Sequence, residues 1–129
     1  MKKTAWKWFS KYIRLRDCLR TTGTPEAGKC ITCGRIKLFS ELQAGHGIGG
    51  RSNSILFDED IVNAQCIHCN YYLTGNYEKY ITILIDRHGR DWYDQKLILS
   101  RHPCKLDFKI ISDYYRNKYK ELIKKQEDL

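Results

Sequence analysis

The chain has 129 residues, with 23 Lys plus Arg against 15 Asp plus Glu and a formal charge of +8. That length is one domain's worth, and the charge favours a polyanionic partner, nucleic acid being the usual one and a plain basic protein the alternative. The longest apolar stretch, Ile81 to Ile85, is far too short to span a bilayer, so no membrane partner is expected.

Met1-Lys2-Lys3 runs into Trp6, Lys7 and Trp8 rather than an apolar segment, which excludes a secretory pattern. The expected location is the reducing cytoplasm. There, six cysteines point to metal or redox chemistry more than to disulfides.

Residues 4–20 place Ala5, Trp8, Phe9, Tyr12, Ile13 and Leu19 mostly at three-and-four spacing, which predicts an amphipathic helix. Its other face holds Lys7, Lys11, Arg14 and Arg20, either a solvated face or a set of phosphate contacts. Residues 21–29 read as a loop broken by Gly23, Pro25 and Gly28. Cys30-Ile31-Thr32-Cys33-Gly34 forms a knuckle-like turn. Ile36 to Phe39, Leu42 to Ala44 and Ile55 to Phe57 are short strand candidates, with a Gly-rich loop from Gly45 to Ser54. Asn63-Ala64-Gln65 leads into Cys66-Ile67-His68-Cys69, and a helix is expected near Cys69. Asn76 is expected to cap a second helix ending at Gly89, and Asp91 a third through Leu99. Pro103 breaks the pattern before a last helix over 107–126. The expected layout is a single domain over 1–129: a helix at 4–20, a zinc core at 30–88 and helices within 91–126.

The two C-x-x-C pairs predict one tetrahedral zinc held by Cys30, Cys33, Cys66 and Cys69. All four positions are then filled by protein, so the ion is structural. A pair of redox dithiols is the alternative. Cys18 and Cys104 lie outside the pairs and read as ordinary or packed thiols.

A closed zinc site cleaves nothing, so any chemistry needs other groups. His46 sits where a strand meets the Gly-rich loop, which is expected to expose its ring, and Asn70 directly follows the last cysteine. The zinc would tie both to one frame, so that a histidine able to deprotonate water and an amide oxygen able to help hold a hard cation face one another.

The order of these features resembles a family. Tyr12-Ile13-Arg14, Arg16-Asp17, Cys30-Ile31-Thr32-Cys33-Gly34, Ala44-Gly45-His46, Phe57-Asp58-Glu59, Gln65-Cys66, Cys69-Asn70, Gly75-Asn76 and Tyr80 are similar to the bacteriophage lambda Rap (NinG) recombination endonuclease family. That resemblance spans about residues 8–125 and implies an α+β fold, a small ββα-metal (HNH-like, treble-clef-type) core framed by the four-cysteine zinc site and flanked by helices. It implies a phage or prophage endonuclease that cleaves branched DNA, such as Holliday junctions and D-loops. By position, His46 would be the general base, Asn63 its orienting residue and Asn70 a ligand of a catalytic Mg²⁺ or Mn²⁺. The sequence departs from the HNH pattern at Gly45, where a metal ligand often stands, and at Ile61, where the middle Asn often stands. Asp58, Glu59 or Asn76 are candidates to supply the missing ligand. Arg51 is the expected DNA contact of the loop, and symmetric junction cutting would suit a homodimer. Two other readings stand beside this one: a non-catalytic zinc module that binds nucleic acid, and an HNH nuclease for nonspecific nicking or restriction.

Overall fold

The computed structural model describes residues 1–128. Helix α1 runs over Lys2–Thr22, longer at both ends than the periodicity predicts, and stops at Gly23, whose left-handed φ of 77° turns its N–H back onto the Leu19 carbonyl. Its Phe9 and Ile13 are fully buried. They pack with Ala44, Val62 and Tyr115.

Two small antiparallel hairpins lie against this helix. Strands β1 (Ala27–Lys29) and β2 (Ile36–Leu38) pair with Lys29 opposite Ile36, so the first cysteine knuckle is the hairpin's turn. The loop expected over 21–29 therefore ends in a strand. Strand β3 (Leu42–His46) pairs with β4 (Val62–Cys66), Leu42 facing Cys66 and His46 facing Val62. β4 is buried at all five positions. It has no polar face and hence no alternation to announce it.

Ile55-Leu56-Phe57, expected as a strand, is not one. Asn53–Leu56 forms a single helical turn, α2. The N–H groups of Ile55 and Leu56 both bond the Ser52 carbonyl, so the local turn uses the groups a ladder would need. The helix expected near Cys69 is a five-residue π-helix over His68–Tyr72. Helix α3 spans Tyr77–His88. Asn76 precedes it in a left-handed conformation, φ 49°, and its side chain makes no cap, donating instead toward Cys69 Sγ at 3.7 Å. Helix α4 (Arg90–Ser100) packs on α2 and α3, its Tyr93 clustering with Ile48, Ile55 and Ile61, against which Ile81 and Ile85 of α3 also pack. Helix α5 (Phe108–Glu127) starts at Asp107, whose carboxylate accepts the N–H groups of Lys109 and Ile110. It returns to α1, where Tyr115 meets Phe9 edge-on at 4.7 Å.

The outer edge of β4 is closed by side chains and by the first knuckle. Asp17 accepts the Ala64 N–H at 2.7 Å, and the Ile31 N–H bonds the Ala64 carbonyl at 2.9 Å. Neighbouring Arg16 is 5% exposed and holds Asp17 at 2.9 Å. It also donates to the carbonyls of Glu59 and Val62 and to Asn63 Oδ1. The outer edge of β3 has no partner strand among the described residues.

Removing one member of a buried, hydrogen-bonded pair strands the other charge. Asp17→Ala is expected to lower stability by about 3 kcal/mol, measured by urea unfolding of the zinc-loaded protein. A loss within the range of an exposed ion pair would show that the clamp contributes little.

Candidate functional site

The two knuckles meet where the hairpins meet. The first is the β1–β2 turn, and the second begins at Cys66, the last residue of β4. The Sγ atoms of Cys30, Cys33, Cys66 and Cys69 all lie within 4.8 Å of one another. Cys33 and Cys66 are 3.8 Å apart. Zinc–thiolate bonds of about 2.3 Å in a tetrahedron place sulfurs about 3.8 Å from each other, so the donor set fits the ion. Thr32 Oγ1 is 3.3 Å from Cys30 Sγ, and the Cys69 N–H points at Cys66 Sγ from 3.4 Å.

These contacts split the thiols. Burial pushes Cys66 up to about 12. At Cys30 burial is outweighed by backbone N–H groups and the Thr32 hydroxyl, which bring it down to about 6. Zinc bound here would staple the knuckles and, with four protein ligands, take no part in chemistry. Among the described residues no other group of three or more His, Cys, Asp or Glu side chains converges in this way.

His46 ends β3 and is not exposed as its loop position predicts: it is 5% exposed. Its ring stacks on Trp6 of α1, with centroids 5.2 Å apart and planes 15° apart. The Arg51 guanidinium lies over the same indole at 4.5 Å. His46 Nε2 is 3.1 Å from the Leu56 carbonyl. A carbonyl only accepts, so Nε2 carries the proton and donates, and the lone pair belongs to Nδ1. Burial lowers the His46 pKa to about 4; the Leu56 carbonyl opposes the shift and the Arg51 charge adds to it. The imidazole is therefore neutral at pH 7.

Alternation along β3 places His46 on the α1 side and Gln43 and Gly45 on the opposite side. Asn70 lies on that opposite side, its Nδ2 donating to Gln43 Oε1 at 2.7 Å. His46 and Asn70 thus do not face one another across the hairpin. Trp6 from one side and Gln43 and Asn70 from the other line a cleft of about 390 Å³ along β3, together with Arg51. Asn63 is buried elsewhere: it accepts from Arg16 and donates to Tyr80 Oη and to the Asp60 carbonyl. The partner that orients His46 is the Leu56 carbonyl.

The residue-45 position is closed. A Cβ there would collide with Gln65 Oε1. Gln65 is held by its Nε2, which donates to Thr32 Oγ1 and to the Gly75 carbonyl, while its Oε1 has no hydrogen-bond partner. The candidate replacement ligands are committed elsewhere. Asp58 binds Lys96 at 2.7 Å. Glu59 receives Tyr115 and Lys118. Asn76 faces Cys69. With Asn70 Oδ1 the one amide oxygen left where the family pattern expects a ligand, these side chains do not fit a preformed Mg²⁺ or Mn²⁺ site, which takes six oxygens.

The fold and this centre define an α+β protein whose first and last helices pack together around small hairpins, with a cysteine cluster suited to structural zinc. A family model described as "NinG: Bacteriophage Lambda NinG protein" matches residues 1–127, and the chain belongs to the NinG family. No curated protein and no solved structure matches it. No helix is long and apolar enough to cross a membrane.

Metal analysis is expected to find about one zinc per chain, and Cys66→Ser to lose both the zinc and the fold of the centre; a folded, zinc-free variant would remove the tetrad. His46 supplies a second expectation. In the unfolded chain it titrates near 6.5, so the unfolded state takes up the proton first as pH falls. Its contribution is intact above about 6.5 and is lost towards about 4, a change of about 3 kcal/mol. An NMR titration of the ring should give a midpoint near 4, and Trp6→Ala should raise it. A wild-type midpoint near 6.5 would contradict the buried, stacked ring.

Proposed function

We propose that this protein is a structure-selective DNA endonuclease acting on branched recombination intermediates, Holliday junctions and D-loops among them, in the bacterial cytoplasm during phage growth. The observation that carries the reading is the state of His46: a neutral imidazole fixed by Leu56 with its lone pair on Nδ1, stacked on Trp6, which lines a cleft with Arg51. Membership of the NinG family supports it. So does the order hairpin, cysteine knuckle, Asn70 and α3, the pattern expected of a ββα-metal core in a zinc frame.

In this reading Nδ1 takes a proton from a water whose oxygen attacks the phosphorus. One P–O ester bond breaks, and the leaving oxygen is protonated from solvent. Trp6 and the Leu56 carbonyl keep the ring oriented, and Arg51 holds phosphate. The family resemblance implies a Mg²⁺ or Mn²⁺ that Asn70 Oδ1 would help hold and that would offset charge developing on the phosphate. A homodimer would supply two such sites to a symmetric junction.

A second reading rests on the closed position beside His46. With Gln65 filling the space at Gly45, the chain is a zinc module that binds DNA without cutting it.

Purified protein incubated with a four-way junction and with linear duplex, with Mg²⁺ or Mn²⁺ and then EDTA, separates these. Junction cleavage is expected, reduced at least about 100-fold by His46→Ala. No cleavage with any metal would leave the binding module. Cleavage that survives His46→Ala would remove the base, and equal cutting of linear duplex would favour a nonspecific nuclease.

A further inference from the structure

The cleft along β3 carries a second arginine that the nuclease reading does not use. Arg14 of α1 lines it together with Arg51, Ser10, Ser40, Gln43 and Asn70. Both guanidinium groups lie over aromatic rings, Arg14 over Phe39 at 4.5 Å and Arg51 over Trp6 at 4.5 Å. Stacking occupies the face of a guanidinium and leaves its edge N–H groups for an anion. Arg14 commits one of these, Nε, to the Ser10 carbonyl at 3.2 Å. Among the described residues neither arginine is paired with a carboxylate, and no carboxylate lines the cleft. Burial lowers the Arg14 pKa, with Tyr119 and Cys18 opposing. An arginine stays charged even so. A half-buried cation without a counter-ion is a place where an anion gains most.

Another basic cleft contrasts with this. Arg35, Lys37 and Lys79 line a space beside the cysteine cluster, with Glu41 among them. Four thiolates around one Zn²⁺ would leave a net negative charge for those cations to answer.

We infer that Arg14 and Arg51 form a two-guanidinium seat for neighbouring phosphodiester groups of a DNA strand, in the cleft along β3. The inference deepens the nuclease reading and rests on it for the identity of the ligand. Ser10, Ser40 and the amides of Gln43 and Asn70 add neutral hydrogen-bonding groups around the same space, a composition that binds backbone without reading sequence. Two cations here would also offset charge developing on the phosphate, where the neighbouring side chains make no preformed Mg²⁺ or Mn²⁺ site.

The test separates binding from cutting. Binding of a fluorescent four-way junction by zinc-loaded protein is measured against salt concentration without Mg²⁺ or Mn²⁺. Arg14→Gln and Arg51→Gln are each expected to weaken binding several-fold and to flatten the salt slope by about 0.7 to 0.9. Arg14→Lys, which keeps the charge, should keep the slope. Addition of tetrathymidylate should shift the NMR signals of both guanidinium groups. A salt slope unchanged in both Gln variants would overturn the seat, as would Arg14→Gln weakening binding only in proportion to lost thermal stability. A flattened slope in a protein that cleaves nothing would keep the seat and remove the nuclease.

Discussion

Asp17 reaches across from α1 to the Ala64 N–H, and Arg16 beside it holds three groups in and before β4. A guanidinium and a carboxylate are both taken out of water at this point, and each is tolerable only because the other and the strand's polar groups surround it. The consequence is positional. β4 cannot slide along α1 without breaking a charged contact, and β3 is registered on β4 residue by residue. Cys66 and His46 end those two strands, so both the metal centre and the candidate base inherit their positions from one buried pair.

Loaded with zinc, the four-cysteine cluster would do for the hairpins what a large core does in a bigger fold. The buried apolar side chains fall into separate small clusters, one of which is made of the four cysteines themselves. Metal binding in such a centre is part of the folding free energy. The staple and the candidate chemistry remain distinct. The thiols lie at the knuckles, whereas His46 is sandwiched into the α1 side of β3 by Trp6.

What the sequence reveals here depends on whether a signal is local. The long helices α1 and α5 show themselves through repeated apolar spacing, and the four cysteines through their two matched intervals. β4 does not, because its five residues are buried on both faces and carry no alternation. α2 is hidden for a related reason: Ile55 and Leu56 read as strand by composition, but their N–H groups are used within the turn. At the candidate site the histidine is legible and its surroundings are not. A backbone carbonyl such as that of Leu56 has no residue signature. Trp6 stands three residues before Phe9 and seven before Ile13, so its spacing marks it as a packing residue but gives no hint that what it covers is His46. Asn63 resembles a histidine partner by type, but its amide is claimed by Arg16 and Tyr80. Gly45 reads as a missing ligand, and its meaning is steric: the Gln65 amide lies where a side chain would begin.

The pairing of α1 with α5 has a consequence for how the chain reaches this state. Phe9 and Tyr115 share one cluster with Ala44 and Val62, so the core around the first helix is complete only after the last helix has been made. A nascent chain therefore carries an unfinished apolar face on α1 through most of its synthesis, while the knuckles and hairpins can already form behind it. Closing contacts this distant in sequence is slow compared with local pairing. Ribosome-bound intermediates would present that face to other molecules until α5 docks and covers it.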